Sequence, residues 1–144
     1  DEARIHRLSI TWVNHSYSHP YRGDAPVEKD FLLSDGVDFK KEVLDNEALM
    51  LERGLTPSIF FRFPGLLAGE ARITELKDLS LIPLGAEAWL GKGQTAREGS
   101  IILIHANGND RAGVDALLKF YRQRRPEFKN GALSLQPLKD AFKH

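Results

Sequence analysis

A chain of 144 residues, 42% hydrophobic and 28% charged, has the length and make-up of one globular domain with a real hydrophobic core. Its 20 basic and 20 acidic side chains cancel, so there is no overall cationic field to gather nucleic acid, and the lack of cysteine excludes disulfides and thiolate metal sites. No run of about 18 apolar residues occurs, so no membrane-spanning helix is expected. The stretch Arg122, Arg124, Arg125 reads as a solvated helix end whose cations suit the C-terminal dipole, in preference to a nucleic-acid patch. Asp1-Glu2-Ala3-Arg4 lacks the layout of a signal peptide, so any export signal is expected upstream.

In chain order, Leu8 to Val13 alternates apolar and polar residues and predicts a strand. It runs into the polar stretch Asn14-His15-Ser16-Tyr17-Ser18-His19-Pro20. Residues 21–36, with three Asp, two Gly and a Pro, predict a surface loop. Apolar residues at near-helical spacing predict a helix from about Val37 to Arg53, ended by Gly54 in the left-handed region. Ser58–Phe63 predicts a strand closed by Pro64-Gly65, followed by a weaker helix over about Gly69–Leu79 and a strand over Leu81–Trp89. Ser100–Ile104 is the pattern of a strand buried on both faces. Val114, Leu117, Leu118 and Tyr121 mark an amphipathic helix stopped near Pro126, with a short last strand at Ala132–Leu135. Strands alternating with helices imply parallel α/β packing in one domain, with the polar residues gathered where strands end, the edge on which such folds build sites.

Four features could carry chemistry. His15 and His19 are four residues apart; on a single helical turn both imidazoles would reach one point, supplying two of the three ligands of a catalytic zinc. The alternative is a pair of surface or capping histidines. Arg62, inside an apolar strand, either points outward or aims its guanidinium at the strand end to hold a carboxylate. His105, at the end of the most hydrophobic strand, is either a satisfied core residue or a general acid. Glu87 and Trp89 share a strand face; Trp89 is either a rim aromatic or a platform for the apolar face of a sugar. Asn14, Asn107, Asn109 and Asp110 are candidates to support the histidines.

Taken in order, Asn14-His15-Ser16-Tyr17-Ser18-His19, Phe61-Arg62-Phe63-Pro64-Gly65, Trp89 and Ile102-Leu103-Ile104-His105 resemble the later motifs of the polysaccharide deacetylase family (NodB homology, carbohydrate esterase family 4). The resemblance spans roughly residues 8–106. It implies an irregular (β/α) barrel and metal-dependent hydrolysis of acetyl groups on a polysaccharide. It assigns His15 and His19 as ligands of a divalent metal, zinc by expectation, His105 as general acid and Arg62 as the residue orienting the base. Trp89, Pro64 and Tyr17 are expected to bind substrate. By the same resemblance the protein is expected in the cell envelope or secreted, the cytoplasm being left open.

Two departures shape the expectation. The family's first motif, a strand ending in paired aspartates that provide the third ligand and the base, should precede His15, and nothing in residues 1–14 reads as that motif. The barrel is therefore expected to be partial, its exposed edge covered by a preceding segment or by a second copy. The acid paired with His105 is either Glu87 or Asp110. The competing functions are a catalytically inactive carbohydrate-binding module on the same fold and an interaction role for the barrel edge.

Overall fold

The computed structural model describes residues 9–108 and 111–140, together with Ile5. They fall into two compact units, Asp1–Gly85 and Ala86–His144.

In the first unit a three-stranded parallel sheet runs in the order β1 (Trp12–Asn14), β2 (Pro57–Phe61), β3 (Ile82–Pro83). Two helices connect the strands, α1 (Phe39–Glu52) and α2 (Glu70–Asp78). Asp38 starts α1, its carboxylate accepting the Lys41 N–H at 3.0 Å, and Gly54 ends it with φ of 72°. Phe39, Val43 and Met50 are the buried residues of α1, and Leu76 that of α2. With Leu32, Phe61, Phe63 and Leu81 they build the core, except Met50, which is buried outside this cluster. Three phenyl rings sit at its centre: Phe61 meets Phe63 edge to face at 5.0 Å, and Phe39 stacks on Phe63 at 5.9 Å. Such pairs add about 0.5–1.5 kcal/mol each to the gain from burial. Arg72 closes the cluster from α2, with its guanidinium 5.5 Å from the Phe39 ring and hydrogen bonds to the carbonyls of Leu32 and Val37.

In the second unit β4 (Ala88–Trp89) pairs in parallel with β5 (Ile102–Leu103). Helices α3 (Gly113–Gln123) and α4 (Arg125–Asn130) follow. Ala88 and Leu103 are the buried strand residues.

Parallel α/β architecture is therefore what the sequence led us to expect, but neither sheet closes on itself among the described residues. Several local expectations need correction. Residues 21–36 are a surface loop over most of their length, as expected, but two 3-10 turns, Val27–Lys29 and Phe31–Leu33, carry Leu32 into the core. Polar residues license this, because buried Asp30 accepts the backbone N–H groups of Arg22, Gly23 and Phe31 and so satisfies a folded-in backbone. The expected strand 81–89 is two strands in two sheets, β3 and β4, parted at residues 84–87. The apolar run 100–104 is buried only at Leu103; its neighbours are half-exposed. Pro126 does not merely stop a helix but opens α4 from its first turn, where its missing N–H costs nothing. Ala132–Leu135 forms no strand. No helix among the described residues is long and apolar enough to cross a membrane.

Candidate active site

At the carboxyl end of β1 the chain turns through residues 14–19, and the turn is not helical as the spacing suggested. Ser16 has φ of 70° and His19 φ of 47°, both left-handed. What holds this turn is a set of polar anchors. Asn14 is fully buried; its side-chain Nδ2 donates to the Val43 carbonyl at 2.9 Å, and its Oδ1 accepts from the Ser16 N–H at 3.0 Å and from Asn46 Nδ2 at 2.7 Å. The His19 N–H donates to Ser16 Oγ at 3.1 Å. Glu42 of α1 takes the next two residues: its carboxylate accepts from the Ser18 N–H at 2.8 Å and the Ser18 hydroxyl at 2.6 Å, and its carbonyl accepts from the Tyr17 N–H at 2.9 Å. A left-handed non-glycine residue costs about 1 kcal/mol or more, and this density of bonds offsets it at two positions.

The irregular turn brings the two imidazoles together, with centroids 5.0 Å apart and planes at 69°. Two rings bound through nitrogen at about 2.0–2.1 Å to one tetrahedral ion have centroids about 5 Å apart. The tautomer fits as well. His15 Nδ1 lies 2.8 Å from the Arg62 carbonyl, which can only accept, so Nδ1 carries a hydrogen, and in the neutral ring Nε2 is the nitrogen with the lone pair. His19 packs edge-on against Phe31 at 5.6 Å, which fixes its ring. Among the described residues no group of three His, Asp or Glu gathers here, so the residues present fit two positions of a metal site and leave the others to be supplied.

Arg62 follows β2, its N–H donating to the Asn14 carbonyl at 2.8 Å, which sets it beside the histidine turn. Its side chain is half-buried, and burial lowers the guanidinium pKa from its ordinary value. Nη2 is buried without a hydrogen-bond partner among the described residues. The carboxylate that sequence reasoning assigned to Arg62 is thus not found among the described residues, while the donor that would hold one stands ready. Pro64 is fully buried at the start of a 3-10 turn, fixing the chain after Phe63 and offering little surface to a substrate. Tyr17 is 55% exposed.

The second unit carries the other pair. Trp89, on β4, and His105, just past β5, have ring centroids 4.9 Å apart. The Trp89 N–H donates to Gln94 Oε1 at 2.8 Å, and Lys92 sets its ammonium 3.8 Å above the indole. His105 Nδ1 is buried and without a partner among the described residues. Glu87 makes no hydrogen bond to that nitrogen; its carboxylate accepts the Ile101 N–H at 2.7 Å at the start of the β4–β5 pair. Asn109 and Asp110 lie outside the described residues, and Asn107 is exposed.

The structure thus unites His15, His19 and Arg62 in one unit and Trp89 with His105 in the other. Sequence reasoning missed Glu42, Asn46, Lys92, Gln94 and Gly113, the last packed against the His105 backbone. The first two sit in a helix whose only legible signal was apolar spacing, and nothing local links them to residues 14–18. Gly113 had a signal, a glycine in the first turn of a helix.

No protein-family model matches the sequence. In three dimensions the chain is similar to a peptidoglycan N-acetylglucosamine deacetylase solved in complex with 4-naphthalen-1-yl-N-oxidanyl-benzamide, with a TM-score of 0.67 and 20% sequence identity. The match covers 97% of this chain and 66% of that one, so the chain spans just under two-thirds of its neighbour's length. At this identity the likeness is one of fold.

Proposed function

We propose that the chain is part of a metal-dependent deacetylase acting on an acetylated polysaccharide of the cell envelope, and that it contributes two metal ligands, an arginine and a general acid. The observation that carries this reading is the His15–His19 pair: its 5.0 Å separation and the His15 Nδ1 bond to the Arg62 carbonyl are compatible with two imidazole ligands of one ion. The fold shared with a peptidoglycan N-acetylglucosamine deacetylase supports the substrate class.

His15 and His19 would hold a divalent cation, zinc suiting two imidazoles and a carboxylate, and such a cation when bound polarises a carbonyl and lowers the pKa of water. The unpartnered Arg62 Nη2 donates to a carboxylate brought by another segment, fixing a base beside the histidine turn. His105, as general acid, gives a hydrogen to the departing amine nitrogen of the sugar, and its buried, unpartnered Nδ1 is where an acidic group brought by another segment would orient the ring. Trp89 offers an indole wall to the sugar ring, with Lys92 on one of its faces.

The test uses a protein that includes these residues and the sequence preceding them. Metal content is read by mass spectrometry and acetate release is measured on an N-acetylated chito-oligomer. One bound divalent ion lost in the His15→Ala, His19→Ala double variant, with acetate release lost alongside, is expected. Sugar binding that persists after chelation without acetate release would instead establish a non-catalytic glycan-binding module.

A further inference from the structure

The strongest feature outside the strand-end residues is a groove in the second unit, built by the last turns of α3 and by α4. It is a shallow groove open to solvent, with a volume of about 530 Å³, lined by Tyr121, Arg122, Arg125, Phe128 and Lys129. The rings of Tyr121 and Phe128 lie 5.1 Å apart at a 37° tilt, and Phe120 backs Phe128 edge-on at 6.2 Å. Arg125, Phe128 and Lys129 share one face of α4 by their i, i+3, i+4 spacing. The neighbouring Arg124 is spoken for: its Nε donates to Glu127 at 2.6 Å. Arg122, Arg125 and Lys129 make no ion pair among the described residues. In a chain whose charges cancel overall, an aromatic floor thus meets three cations that have no ion pair among the described residues.

We propose that this groove is an accessory binding site for an acidic, carboxylate-bearing polysaccharide. Tyr121 and Phe128 lie against the apolar faces of one or two sugar residues, and the guanidinium groups of Arg122 and Arg125 fork onto carboxylates with Lys129 as a further point charge. Nucleic acid would also stack on aromatic rings, but its binding draws on many phosphate contacts, roughly 6–10 in a typical complex, and this groove has only three cations. The choice of a glycan over other polyanions rests on the deacetylase reading above.

The full chain is titrated calorimetrically at about 0.15 M salt with a short uronic-acid oligomer, a neutral chito-oligomer and a single-stranded oligodeoxynucleotide of matching charge. The uronic-acid oligomer is expected to bind, and Arg122→Glu with Arg125→Glu to weaken it by about tenfold or more. Tyr121→Ala, which leaves the charge unchanged, is expected to weaken it as well. All the substituted residues are exposed, and circular dichroism confirms that each variant is folded. Tighter binding of the oligodeoxynucleotide, equal binding of the neutral oligomer, or uronate binding indifferent to all three substitutions overturns the proposal. The His15→Ala, His19→Ala variant is expected to bind the uronate normally, so a failed deacetylase reading and a failed groove reading give different results.

Discussion

Gly113 stands so close to His105 that a β-carbon on it would lie 2.0 Å from the His105 carbonyl oxygen. No side chain fits there, and the contact is with backbone, which cannot swing aside. The first turn of α3 therefore presses directly on the residue proposed as general acid, and the missing side chain is what lets it. Gly113→Ala forces α3 or the His105 backbone to retreat. Overpacking of this kind typically costs about 1–3 kcal/mol. A lowered melting temperature is expected, together with a fall in acetate release larger than the loss of folded protein explains. Unchanged melting and activity would show that the close approach is dispensable.

Asn14 is the corresponding support for the histidine turn. Its side chain is fully buried and joins β1 to α1 through the Val43 carbonyl and Asn46 while holding the Ser16 N–H. Asn14→Ala leaves the buried Ser16 N–H and the Asn46 amide without their shared acceptor, while the Val43 carbonyl keeps its place in the α1 ladder, a cost of about 1–3 kcal/mol. Metal affinity is expected to fall about 10–100-fold, as it does when residues that orient ligands are removed. Calorimetric zinc titration of the folded fraction measures it; an affinity equal to that of the parent chain would place Asn14 in folding alone.

These two relationships show what could be read from the chain and what could not. Helices α1 and α2 and strand β2 were legible because apolar spacing and end signals, Gly54 and Pro64-Gly65, act over a few residues. The order of His15, His19, Arg62, Trp89 and His105 along strand ends was legible for the same reason. The geometry of the histidine turn was not: a helical turn and the observed left-handed turn put the same residues at the same spacing. The bonds from Glu42 and Asn14 that decide between them cross 24 and 29 residues of sequence. Residues 21–36 looked like a surface loop and most of them are exposed, but nothing in the sequence showed that Asp30 carries the hydrogen bonds that let Leu32 be buried. The run Ile101–Ile104 overstated its own burial, since apolar composition reports a preference and packing decides the outcome.

Arg62 should behave as a group kept at a cost to stability. Its Nη2 is buried without a partner among the described residues, and burial already disfavours its charge. Replacing it with methionine keeps the bulk and removes the unsatisfied donor, so Arg62→Met is expected to leave stability unchanged or raise it by about 1 kcal/mol. Acetate release by the complete protein is expected to drop sharply, because nothing then orients the incoming carboxylate. Denaturant melts and activity measured on the same preparation separate the two effects. A strongly destabilised Arg62→Met protein would mean that the guanidinium has a structural partner.

Asp30 sets an acid limit on the first unit. The backbone N–H of Arg22 is the largest influence holding its carboxyl below the ordinary value of 3.8; burial pushes the other way, and the N–H groups of Phe31 and Gly23 add to the lowering. A carboxyl whose pKa is lower folded than unfolded stabilises the fold fully above its unfolded value. That contribution is lost as pH falls from about 3.8 through the lower folded value, because the ionised carboxylate accepts these N–H groups more strongly than the neutral acid does. The loop that carries Leu32 into the core and Phe31 onto His19 is expected to loosen in that window. Asp30→Asn keeps the shape but titrates nowhere in it, so the variant should be less stable near neutrality and its melting temperature should vary less below pH 4. Parallel acid titrations of both proteins, followed by near-ultraviolet circular dichroism of the Tyr21–Phe31 contact region, give the comparison. Identical acid profiles would assign the loop's stability to its apolar contacts instead of to Asp30.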